Sequence, residues 1–91
     1  MGKGAMRYVL DGREIRGKAA MLDALAKAMS FPDYFGHNLD ALNDVVNDLP
    51  PGEHTLVWTA PDVLRKADPD AYAQIVDILD SADRLTLEFS R

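Results

Sequence analysis

Cysteine is absent from this 91-residue chain, which excludes a disulfide-stapled module, thiol catalysis and thiolate metal sites. No apolar stretch approaches the roughly 20 residues that a membrane-spanning helix requires. The first residues, MGKGAM, lack the hydrophobic region of a signal peptide. A cytoplasmic location and no membrane partner are therefore expected. Cations are scarce too. Ten Lys and Arg face fifteen Asp and Glu, for a net charge of −5. Residues 1–30 hold six Lys/Arg against three Asp/Glu, a balance of +3. Residues 31–49 carry −4 with no Lys or Arg, and residues 50–91, with four against eight, carry another −4. A phosphate-binding surface needs clustered Lys and Arg, so direct nucleic-acid binding is not expected. An acidic patch suits a basic partner instead, and electrostatic steering would speed that encounter.

What is present describes an ordinary globular chain, 47% hydrophobic and 27% charged. Its length suits one small domain that buries about 60–65% of its unfolded surface. Residues 6–91 read as that single domain and residues 1–5 as an N-terminal extension, of the kind left by expression. Met6 to Leu10 reads as a strand closed by the turn pair Asp11-Gly12. Lys18 to Met29 reads as a helix with Met21, Leu22, Leu25 and Met29 on its apolar stripe. Pro32 disfavours helical geometry at Phe31 and ends it near Ser30. Asn38 is the expected N-cap of a second helix, which Pro50-Pro51-Gly52 terminates. His54 to Thr59 reads as a buried strand that includes Trp58, and Pro61 to Lys66 as a short helix. Asp68-Pro69 opens a further helix running to about Ser81. Arg84 to Phe89 alternates as a half-buried strand, with Leu85, Leu87 and Phe89 on one side. Strands separated by helical crossovers predict an α/β domain with a parallel sheet.

The segment Phe31 to Leu49, FPDYFGHNLDALNDVVNDL, breaks local rules. Asp40, Asp44 and Asp48 fall four residues apart on one helix face, beside Asn43 and Asn47. Leu39, Leu42, Val46 and Leu49 form the opposite, buried face. Aspartate is a mediocre helix former, and like charges at this spacing repel by roughly 0.2–0.5 kcal/mol per pair. Asp48 also lies at the C-terminal end, where the macrodipole disfavours an anion. Rules broken without local compensation mark a functional surface.

Several kinds of chemistry compete for that surface. Paired carboxylates catalyse acid–base chemistry when one has a raised pKa and both line a cleft, whereas these lie on the outside of an amphipathic helix. His37 and His54 have no serine or cysteine partner at a recognisable spacing. There is no EF-hand or H-E-x-x-H spacing, so no metal or cofactor is expected, although His37 could join the aspartates as a ligand. Protein binding is the remaining reading. Tyr34 is assigned to the surface, since tyrosine is enriched at interface hot spots, and Phe35 to the core. Asp77, Asp80 and Asp83, near the end of the last helix, either extend the acidic surface or are solvated helix-end charges.

Pro32-Asp33-Tyr34-Phe35-Gly36-His37-Asn38-Leu39-Asp40-Ala41-Leu42, with Asp44 following, resembles the signature P-x-Y-[YF]-G-x-N-L-D-A-L of the barstar family of intracellular ribonuclease inhibitors. The similarity runs without gaps from about Met6 to Trp58. It implies a three-stranded parallel sheet packed with about four helices. It also implies one-to-one inhibition of a small, basic, secreted microbial ribonuclease of the barnase type by an immunity protein that is monomeric when free. The resemblance places the inhibitory face on the second helix and the loop before it, so Tyr34, Gly36, His37, Asn38, Asp40, Asn43, Asp44, Asp48 and, from the last helix, Asp80 are the expected partner-binding residues, of which Tyr34, Asp40 and Asp44 correspond by position to contact residues. Asp44 would stand in the place of a substrate phosphate, because arginine binds carboxylate and phosphate with the same bidentate geometry. The family pattern has tryptophan where this chain has Asn43, and glycine and tryptophan where it has Asp48 and Leu49. A glutamate from the family's last helix has its counterpart in Asp77 or Asp80. These departures make the surface more electrostatic. A module of the same fold serving a non-nuclease partner is the alternative expectation.

Overall fold

All three strands and four helices expected from the sequence form in the computed structural model, which describes residues 5–32 and 35–90. In chain order they are β1 (Ala5–Asp11), α1 (Lys18–Ala28), α2 (Leu39–Asn47), β2 (Glu53–Thr59), α3 (Pro61–Ala67), α4 (Pro69–Ser81) and β3 (Leu85–Ser90). The sheet order is β1-β2-β3 and both pairings are parallel. Two right-handed crossovers that step in one direction across a sheet must lie on the same face. Burial agrees with that rule. Leu10, Leu56, Trp58 and Leu85 are buried on the helix side, whereas Arg7, Thr86, Glu88 and Ser90 on the other side stay exposed. Val9 there is 62% exposed. Val57, also on that side, is buried on the middle strand, across which Arg7 and Glu88 form an ion pair of 3.7 Å. The four helices thus cover one face of the sheet alone.

The helix boundaries follow from local chemistry. Asn38 Oδ1 accepts from the Ala41 N–H at 2.8 Å and Asp68 Oδ1 from the Ala71 N–H at 3.2 Å, so both serve as the expected N-caps. Pro61 and Pro69 occupy first-turn positions, where the missing N–H costs nothing. At the end of β1, the Gly12 N–H donates to the Thr59 carbonyl at 3.0 Å. A Cβ at Gly12 would sit 2.4 Å from that carbonyl oxygen and 2.7 Å from Trp58 Nε1, so only glycine fits. Trp58 fills the centre of the core, in contact with Tyr72 and Phe89. Its buried Nε1 has no hydrogen-bond partner among the described residues.

His54 is the one buried polar residue among the described core positions, at 4% exposure. Its Nε2 lies 2.9 Å from the Pro50 carbonyl, which can only accept, so Nε2 carries the proton. Nδ1 is then free to accept from the Tyr8 hydroxyl at 2.9 Å. An imidazole with both nitrogens bonded therefore ties β1 to β2 and to the turn after α2.

Candidate protein-binding interface

The acidic helix is presented as its sequence pattern requires. Leu42, Val46 and Leu49 are buried and Leu39 is half-buried, while Asp40, Asn43, Asp44, Asn47 and Asp48 are exposed. Among the described residues, no Lys or Arg lies within ion-pair distance of Asp40, Asp44 or Asp48. Elsewhere Asp11, Asp23, Asp62 and Glu88 each pair with a cation. Asn43 is engaged within the helix, its carbonyl and Oδ1 accepting from Asn47 Nδ2 at 2.8 and 3.1 Å.

The loop before α2 is braced from three sides. Phe31, Phe35 and His37 form a ladder with ring centroids 4.9 Å apart at each step. Phe35 is buried, as expected from its sequence context. His37 adopts a left-handed backbone (φ 49°), and its Nδ1 donates to the Phe35 carbonyl at 3.1 Å. Its Nε2 faces Asp23 on α1 at 3.7 Å, so the ring turns toward α1 and serves as a loop brace. Asn38 Nδ2 donates to the Gly36 carbonyl at 3.2 Å while Oδ1 caps the helix. A Cβ on Gly36 would press on that same Asn38 amide at 3.1 Å. Tyr34 lies outside the described residues.

Two clefts flank α2. A cleft of about 350 Å³ is lined by Phe35, Gly36, Ala41, Asp44, Val45 and Asp48, and so brings three expected site residues, Gly36, Asp44 and Asp48, into one concavity. Asp40 and Asn43 are not among its lining residues. A larger one of about 530 Å³ opens on the other side of Val45 and Asp48. Asp77 and Asp80 are exposed on α4, which packs against α2, and neither has an ion-pair partner among the described residues.

The structure also supplies compensation that the sequence hides. α2 has no basic residue in its last turn, but Arg84, just before β3, donates from Nη1 to the Leu49 carbonyl at 2.7 Å. A cation therefore reaches the helix C-terminus from 35 residues away. No local signal marks Arg84 for this role. No group of three or more His, Asp or Glu positioned to hold a metal occurs among the described residues. No helix among them is long and apolar enough to cross a membrane.

Residues 5–89 match the family model described as "Barstar (barnase inhibitor)". A Bacillus subtilis (strain 168) protein named "Putative ribonuclease inhibitor YrdF" is 40% identical to this chain over 47 residues. That match covers 48% of this chain and 52% of the relative, so the chain spans about half the length of the curated relative it matches. With the family model covering nearly all of the sequence, and with the three-stranded parallel sheet and acidic second helix in place, the chain belongs to the Barstar family.

Proposed function

We propose that this protein is an inhibitor, or immunity protein, for a small basic ribonuclease of the barnase type, binding it one-to-one and plugging its active site with α2 and the preceding loop. The observation that carries this reading is the set of three carboxylates without an ion-pair partner among the described residues, on a firmly capped helix, with Asp44 in a cleft formed with the loop. Asp44 takes the place of a substrate phosphate and meets the cations that would bind it. Asp40 flanks that contact, with Tyr34 on the loop and Asp80 on α4 at its margin. Gly36, His37 and Asn38 fix the loop's shape rather than touch the partner's cations. Asp48 and Asn43, which depart from the family pattern, tune the choice of nuclease. The family description and the relative's name support a ribonuclease as partner.

The test is an RNA-cleavage assay with small basic ribonucleases, titrated with the purified protein at low and high salt. Stoichiometric inhibition that weakens as salt rises is expected. If every such ribonuclease from the same source stays fully active at excess protein, the reading fails.

A further inference from the structure

We propose that the larger cleft beside α2 is a second anchor point, which receives one Lys or Arg side chain of the basic partner. The partner's basic character rests on the inhibitor reading above; the shape and chemistry of the cleft do not. The cleft lies between the C-terminal end of α1, the loop that follows it, and the turn after α2. Met29, Phe31, Pro32, Leu49 and Pro51 make its walls mainly apolar. Tyr8 and His54 also line it, but their polar atoms are already bonded to one another and to the Pro50 carbonyl. A polar ligand would therefore find few free partners within.

Among the described residues one charged side chain lines the cleft, that of Asp48. It is exposed, sits at the C-cap of α2, and has no cation within ion-pair distance among the described residues. No Lys or Arg among the described residues lines the cleft. Apolar walls beside a lone carboxylate match an amphipathic chain whose methylenes lie on hydrocarbon and whose cationic head stays at the polar edge. Val45 and Asp48 also line the smaller cleft that holds Asp44, so a protein seated over Asp44 reaches the larger cleft without a gap. Its volume of about 530 Å³ exceeds what one side chain needs, leaving room for the neighbouring backbone of the partner.

The experiment is an NMR titration of the full ¹⁵N-labelled chain with three blocked tripeptides, Gly-Lys-Gly, Gly-Arg-Gly and Gly-norleucine-Gly. The two basic peptides are expected to bind in the millimolar range and to shift the amides of Phe31, Asp48 and Leu49 most. Asp48→Asn should weaken both by about two- to fivefold, the scale of one partly exposed ion pair, while Asp70→Asn on α4 leaves them unchanged. The norleucine peptide should bind at least as weakly as the basic peptides bind the Asp48→Asn variant. Shifts spread evenly over the acidic surface, equal binding of norleucine, or no saturable response each overturn the proposal. No nuclease takes part, so the outcome is separate from the inhibition assay. A chain that inhibits nothing but meets these criteria keeps the cleft and loses the inhibitor reading, and the converse result does the opposite.

Discussion

The outer face of α2 and the uncovered face of the sheet are both exposed and both polar, yet they treat charge in opposite ways. On the sheet, Arg7 pairs with Glu88 and Arg13 with Asp11, and Thr55, Thr59 and Thr86 fill the positions between. Parallel sheets are usually covered on both sides, and this balanced surface lets one side face water. On α2 the charges are of one sign and lack partners among the described residues. Polarity and exposure therefore do not distinguish an interface from a solvated face. The candidate interface differs in carrying charge of one sign with no ion-pair partner among the described residues, held in place by a cap, a proline stop and a buried leucine–valine face.

The largest expected effect separates the two faces by function. Asp44→Ala should weaken inhibition of the target ribonuclease by about 30-fold or more, the loss typical of removing one partner from a desolvated charge pair, a range for which barnase–barstar is itself a reference case. Glu88→Ala on the sheet should leave the inhibition constant within about twofold, since rim and remote charges contribute little. Equal losses from the two variants would dissolve the distinction. A smaller effect tests the mounting of α2. Asn38→Ala removes the N-cap and should cost about 1 kcal/mol, read from the urea midpoint. Thr86→Ala on the exposed sheet edge should stay within about 0.5 kcal/mol. Smaller still, and opposite in sign, Asp48→Asn should raise stability by roughly 0.3–1 kcal/mol, because it removes an anion from a helix C-terminus. A lower urea midpoint for that variant would show that Arg84 already compensates Asp48.

Much of this contrast was legible in the sequence because it depends on neighbours in the chain. Asn38, Asp68 and Pro69 cap residues only a few positions away, and Pro50-Pro51 stops α2 by covalent geometry. The four-residue spacing of the aspartates needs nothing but helical periodicity to become a face. Long-range partners could not be read in this way. Arg84 reaches Leu49 across 35 residues and Tyr8 reaches His54 across 46, and neither carries a local signature. The clefts are similarly hidden, since the larger one is assembled from β1, the end of α1, α2 and the turn into β2. The parallel sheet followed from the alternation of strands and helices. Its one-sided covering followed only once the strand order was known.

The faintest expected signal comes from the sheet face in acid. A hydrogen bond from the Arg13 side chain, aided by the Arg13 backbone N–H, holds the Asp11 carboxyl below the ordinary aspartate value of 3.8. A carboxylate whose pKa is lower folded than unfolded binds fewer protons in the native state, so it adds stability above the unfolded value. That increment fades as the pH falls through the lowered folded value and is gone below it. Because Asp11 is fully exposed, the increment is small and screened by salt. Urea midpoints of the wild type and Asp11→Asn should therefore differ slightly at neutral pH, with the variant less stable, and converge below the range where Asp11 titrates. Neutralising Asp48 moves stability the other way, so the two aspartates differ in sign because one has a guanidinium beside it and the other has a helix C-terminus. A variant at Asp11 that is as stable as wild type at neutral pH would show that the sheet face tolerates an unpaired Arg13 as readily as α2 tolerates its unpaired aspartates.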